Sequence, residues 1–136
     1  MEPTKLKDLV PMLLCDDVQE SLAFYTEVLG FEAVTRMDEI GKSGWASIRN
    51  GTVQLMLASP AHMPPPVKVE GKYSQLIFYF YPDDVVALRE SIIAKGYAVS
   101  DMRVAFYGMK EFDMSDPSGH VLWFGQETDE DRTVLE

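Results

Sequence analysis

The chain has 136 residues, 46% of them hydrophobic, and its 12 Lys and Arg face 22 Asp and Glu for a formal net charge of −10. That balance argues against nucleic acid as a partner, because phosphate binding needs a basic surface, and no apolar run approaches the ~20 residues that span a bilayer. The opening MEPTKLKDLV has no secretory apolar segment, and the single cysteine, Cys15, rules out an intramolecular disulfide, so the expected location is cytoplasmic.

In chain order, LVPMLLC at residues 9–15 is an apolar run short enough for a strand. Asp17 then stands where a helix N-cap belongs, with Glu20 three places on as a capping-box partner. Val18, Leu22, Tyr25 and Leu29 keep helical spacing until Gly30 stops the helix, and Phe31 opens a strand, FEAVTRMDE. After a turn at residues 41–44, GWASIRN and TVQLMLAS read as two strands joined by Asn50-Gly51, a strong hairpin signal. Residues 60–72 change character: Pro64, Pro65 and Pro66 cannot join a sheet ladder and favour a stiff linker.

The second half repeats the first. From Leu76 an apolar strand again meets acidic caps, Asp83 and Asp84; Val85, Leu88 and Ile92 again keep helical spacing, and Gly96-Tyr97 matches Gly30-Phe31. Strands are expected near residues 97–102, 106–114 and 120–125, with a turn at Asp116-Pro117-Ser118-Gly119 before the last. The tail, residues 127–136, is acidic and poor in apolar residues, which predicts a solvated end. The expected fold class is therefore α+β: one domain over residues 1–136, made of two βαβββ modules (8–59 and 73–126) too small to bury their faces alone and expected to share a mixed sheet.

Strand alternation assigns the faces. Phe112, Met114, Leu122 and Phe124 fall on one side, as do Val53, Leu55 and Leu57, Ala46 and Ile48, and Leu76, Phe78 and Phe80; helices are expected to cover these. The opposite side carries Val10, Met12, Trp45, Ser47, Arg49, Gln54, Met56, Ile77, Tyr79, Tyr81, Met109, Glu111, Asp113 and Trp123. Large aromatics and methionines with a few charges among them suit a concave ligand site; cover by a partner subunit or by the linker is the alternative reading.

Two stretches, DVQESLAFYTEVLGF (17–31) and YGMKEFDMSDPSGHVLWFG (107–125), give the chain a resemblance to the vicinal-oxygen-chelate superfamily of glyoxalases, extradiol dioxygenases and bleomycin-resistance proteins. The second stretch is most similar to the bleomycin-resistance branch. The resemblance implies paired modules forming a cupped sheet with helices outside, a homodimer, and, in enzymatic members, a divalent metal held from the first and last strand of each module. Those positions here are Val10, Met56 (or Gln54 if the hairpin is shifted), Ile77 and Trp123, which cannot assemble the roughly three ligands a catalytic metal needs. His62 in the linker and His120 after the turn do not restore the set, and Cys15, on the helix-facing parity, reads as a small core residue.

No elbow nucleophile, phosphate loop or cysteine pair is visible. The expectation is a metal-free, cofactor-free protein that sequesters a neutral or cationic aromatic small molecule, with Trp45, Arg49, Gln54, Met56, Tyr79, Met109, Glu111, Asp113 and Trp123 as contacts. The cationic option rests on Glu111 and Asp113, two carboxylates on one strand face, with Arg49 as the available counter-charge. The competing readings are a metal-independent lyase or isomerase on the same fold and a dimeric interaction module without ligand.

Overall fold

A computed structural model describes residues 3–38, 44–59 and 76–133 of the chain. It divides into two compact units, Met1–Pro66 and Val67–Glu136; the proline-rich stretch 60–72, His62 and most of the 41–44 turn lie outside the described residues. Each unit holds one four-stranded mixed sheet and one helix, so the α+β class and the repeated strand-helix-three-strand order are observed. Among the described residues each four-stranded ladder pairs strands of one unit.

In the first unit, β1 (Met12–Leu14) leads into α1 (Val18–Glu27), followed by β2 (Glu32–Met37), β3 (Trp45–Asn50) and β4 (Val53–Ala58) in the spatial order β1-β4-β3-β2. Asp17 caps α1 by accepting from the Glu20 N–H at 3.1 Å, which meets one of the donors a helix start leaves open. The helix buries Val18, Leu22, Phe24 and Tyr25 against the sheet side formed by Leu13, Ala46, Ile48, Leu55 and Leu57. Val53, expected on that side, is exposed because it sits at the open end of β4. Asn50 pairs with Val53, so the two central turn residues are Gly51 and Thr52; Gly51 takes a φ of 59°, which glycine adopts without strain. The Asn50 amide instead donates to the Leu29 carbonyl at 3.0 Å, tying the hairpin to the end of the helix region.

The second unit runs β5 (Ile77–Phe80), α2 (Val85–Ala94), β6 (Arg103–Val104), β7 (Met109–Ser115) and β8 (Val121–Glu127), in the order β5-β8-β7-β6. Asp84 caps α2 by accepting from the Ala87 N–H, and Gln126 of β8 accepts from the Val85 N–H. Phe112, Met114, Leu122 and Phe124 are buried, and Phe124 stacks between Phe80 and Phe112 with centroids 5.4 and 5.0 Å away.

Three expectations need correction here. Residues 97–102 form no strand, because the Ser100 hydroxyl, in place of a backbone carbonyl, accepts the Asp113 N–H at 2.9 Å and interrupts the ladder. The strand expected from residue 106 begins at Met109, since residues 105–108 make the hairpin tip closed by Gly108 N–H to Ala105 carbonyl. The tail is not simply solvated: β8 extends through Glu127, the Thr128 N–H bonds the Gly108 carbonyl, Glu130 pairs with Lys110 at 2.7 Å, and Thr133 bonds Val104 twice. The Asp116–Gly119 turn forms as expected, with Asp116 Oδ1 accepting from the Ser118 and His120 N–H groups at 2.9 Å.

Candidate functional site

The pairing register decides which residues share the sheet side opposite α2. Tyr79, Trp123 and Asp113 lie in one cross-strand row, and Gly125, Glu111 and Arg103 in the next. At Gly125 an added Cβ would collide with the Tyr79 phenol, so the missing side chain lets that ring cross from its own row to the next. There its hydroxyl donates to Glu111 Oε2 at 2.6 Å.

Glu111 is only 2% exposed, and three groups converge on it. Besides Tyr79, the Tyr107 hydroxyl reaches it at 2.7 Å from the hairpin tip, and Arg103 Nε donates at 3.2 Å. The same guanidinium bonds Asp113 through Nη1 at 2.8 Å, and its central carbon lies 4.6 Å from the Trp123 ring centre. A buried carboxylate is tolerated only when paired and hydrogen-bonded, and this one is both. Burial raises the Tyr79 and Tyr107 phenols above their usual range, and the hydrogen bonds to Glu111 raise them further, so both stay protonated donors. For Arg103, burial opposes the charge, but its bonds and proximity to Asp113 and Glu111 outweigh that and raise its pKa.

Next to this network lies a cavity of about 450 Å³, lined by Val104, Ala105, Phe106, Tyr107 and Trp123 together with Arg103, Glu111, Arg132 and Thr133. Its wall is thus aromatic and apolar with charges set into it, as small-molecule sites are.

Of the residues expected at a site, the structure brings Tyr79, Glu111, Asp113 and Trp123 together; Met109 lies one same-face step further along β7, opposite Glu127. In the first unit, Met56 shares a row with Met12 and Ser47, Trp45 is half-buried, and Arg49 and Gln54 face each other in an exposed pair. Within the second unit Arg103 pairs with both Glu111 and Asp113. Sequence reasoning missed Arg103, Tyr107, Phe106, Arg132 and Thr133. Tyr107 had a visible signal, the Tyr-Gly-x-Lys-Glu order, which sets an aromatic four places before the buried acid across a glycine turn. For Arg103 there was none, because its position depends on the pairing of the two-residue strand β6.

The residues at the superfamily's metal positions do not fit a divalent ion. Val10 and Ile77 carry no donor atom, the Trp123 indole can only donate, and the Met56 thioether is a poor ligand for oxygen-preferring cations. Among the described residues no three of His, Cys, Asp and Glu come together as a metal-holding group. The His120 ring meets Phe78 edge-on at 6.3 Å, and Cys15 is buried in the core. No helix of the described residues is long and apolar enough to cross a membrane.

Similar folds occur among solved structures. Lactoylglutathione lyase from Agrobacterium tumefaciens aligns with a TM-score of 0.68 at 23% identity, over 90% of this chain and 96% of that one. TioX from Micromonospora sp. ML1 gives 0.73 at 20% identity over 89% and 98%, and SMU.1112c gives 0.70 at 26% over 89% and 99%. No curated protein sequence matches the chain. The model of the Glyoxalase/Bleomycin resistance protein/Dioxygenase superfamily matches residues 9–124, nearly the whole chain, and the protein belongs to that superfamily.

Proposed function

We propose that this chain is a metal-free small-molecule-binding protein of the bleomycin-resistance type, which sequesters a ligand with an aromatic surface and works as a cytoplasmic homodimer. The observation that carries the reading is the second unit's polar network, in which buried Glu111 fixes Tyr79, Tyr107 and Arg103 beside an aromatic-walled cavity of about 450 Å³. Such a carboxylate is spent on positioning, since every donor it meets holds it in place; an acid or base free for turnover is not offered by it. The cationic option needs Glu111 and Asp113 unpaired and the Trp123 face open. Arg103 bonds both acids and covers that ring, so the reading keeps the aromatic ligand and drops the cation.

A thermal-shift screen of aromatic small molecules alongside divalent metals tests this. A ligand at about 100 times its Kd adds roughly 2.7 kcal/mol of stability. Saturable shifts with metals and none with aromatics would reverse the reading. Trp123→Ala is expected to weaken binding by at least ~2 kcal/mol with a smaller loss of stability, whereas a purely packing role would cost ~3–5 kcal/mol of stability. The homodimer is checked by sedimentation at micromolar concentration, where a folded monomer would remove it.

A further inference from the structure

One charge that lines the cavity beside β6 is opposite in sign to the molecule as a whole and has no ion-pair partner among the described residues. Three lining residues are charged: Arg103, Glu111 and Arg132. Glu111 is fully engaged by Arg103, Tyr79 and Tyr107, whereas Arg132 makes no ion pair or hydrogen bond among the described residues. With Arg103 paired to Glu111 and to Asp113 behind it, Arg132 is the lining charge left without a counter-charge among the described residues, inside a chain of net charge −10. The backbone next to the exposed Arg132 is held in place. The Thr133 N–H donates to the Val104 carbonyl at 2.9 Å, and the Val104 N–H donates back to Thr133 Oγ1 at 2.8 Å, so the residue after Arg132 is stitched to the edge of β6.

A second observation points the same way. Arg103 uses Nε on Glu111 and Nη1 on Asp113 and Ser100, but its Nη2 is buried without an acceptor. A buried donor left unmade is costly, and a charged one more so. Arg132 is thus the guanidinium open to this aromatic-walled cavity, while Arg103 adds positive charge from within its wall. The chemistry they share is recognition of an oxygen acid, to which guanidinium groups donate short, strong hydrogen bonds.

We infer that this cavity takes an aromatic molecule bearing an anionic oxygen group, a carboxylate or a phosphate, which Arg132 meets at the mouth. The tail that carries Arg132 is then part of the binding site. This rests on the reading of the protein as a binder of aromatic small molecules, and it adds the ligand's charge and the residues that select it.

The test uses matched sets on naphthalene, biphenyl and indole scaffolds, each as carboxylate, phosphate monoester, primary amide and methylammonium, titrated calorimetrically into the full chain near neutral pH. At least one carboxylate or phosphate should bind about tenfold tighter than its amide, the equivalent of ~1.4 kcal/mol. Arg132→Gln should remove the roughly tenfold preference of the anion over its amide, and Arg132→Lys should restore part of the difference. The carboxylate and phosphate arms decide which acid is preferred. Amides binding as well as anions, ammonium compounds binding tighter, or no effect of Arg132→Gln would overturn the inference while leaving an aromatic binder in place. If no member of any set binds, the binding reading and the inference fall together.

Discussion

Glu111 shows how one residue sets the character of a site. With 2% exposure and donors from Tyr79, Tyr107 and Arg103, its carboxylate can neither be lost nor left alone. Replacing it with Gln removes the charge that balances Arg103 and is expected to cost ~3–5 kcal/mol in urea unfolding, as breaking a buried pair does. The tyrosines give a pH dependence of definite sign. Because burial and Glu111 raise the Tyr79 phenol, the native state keeps its proton where the unfolded chain loses it, so the contribution is complete below the unfolded pKa of about 10 and is lost as pH rises through the folded value. Stability measured between about pH 9 and pH 11.5 should fall, and Tyr79→Phe should flatten that slope. Asp38 behaves oppositely: hydrogen bonds from Arg36 at 2.7 and 3.0 Å hold its carboxyl below the usual range against the upward push of burial. Its contribution is present above about pH 4 and is lost on acidification through the folded value, so Asp38→Asn should destabilise at neutral pH and much less under acid.

At the scale of elements, the helices were readable because their signals are local. Asp17 and Asp84 both accept from the backbone N–H three places on, as their spacing implied, and Asp17→Ala should cost ~1 kcal/mol in denaturant unfolding. The hairpin of the first unit was legible to within one residue, since alternation along β3 and β4 acts over a few residues, while its turn centres on Gly51 and Thr52 instead of Asn50-Gly51. The β6 region was not. Ser100 breaks the expected strand by a side-chain bond to Asp113, and two-residue β6 leaves no periodic trace in the sequence. Gly125 likewise looked like the end of a strand, yet its role is to admit the Tyr79 ring. Gly125→Ala should therefore destabilise the wild type and cost clearly less in a Tyr79→Ala background, a coupling that a double-mutant cycle on unfolding free energies would read out.

At the scale of the whole molecule, long-range and local fields oppose each other. The net charge of −10 repels an anion at a distance, while Arg132 in the cavity lining would attract it on contact under the inference above. Stopped-flow Trp fluorescence should then show kon for an anionic ligand rising as salt goes from about 10 to 150 mM, where the screening length shortens from about 30 to 8 Å. The repeat, too, is a whole-chain property, and it was open to inspection because the same strand-helix-glycine order recurs in linear sequence. By itself the sequence determined the α+β class, the two modules, the helix caps and, apart from exposed Val53 and Leu76 at strand ends, which strand sides face a helix, all consequences of period and chain-local hydrogen bonds. Only the tertiary structure decided that Arg103 bridges Glu111 and Asp113, that Tyr79 crosses over Gly125, and that the tail brings Arg132 to the cavity. Each of those depends on strand register or on a bond between residues distant in sequence, and neither is set by neighbours along the chain.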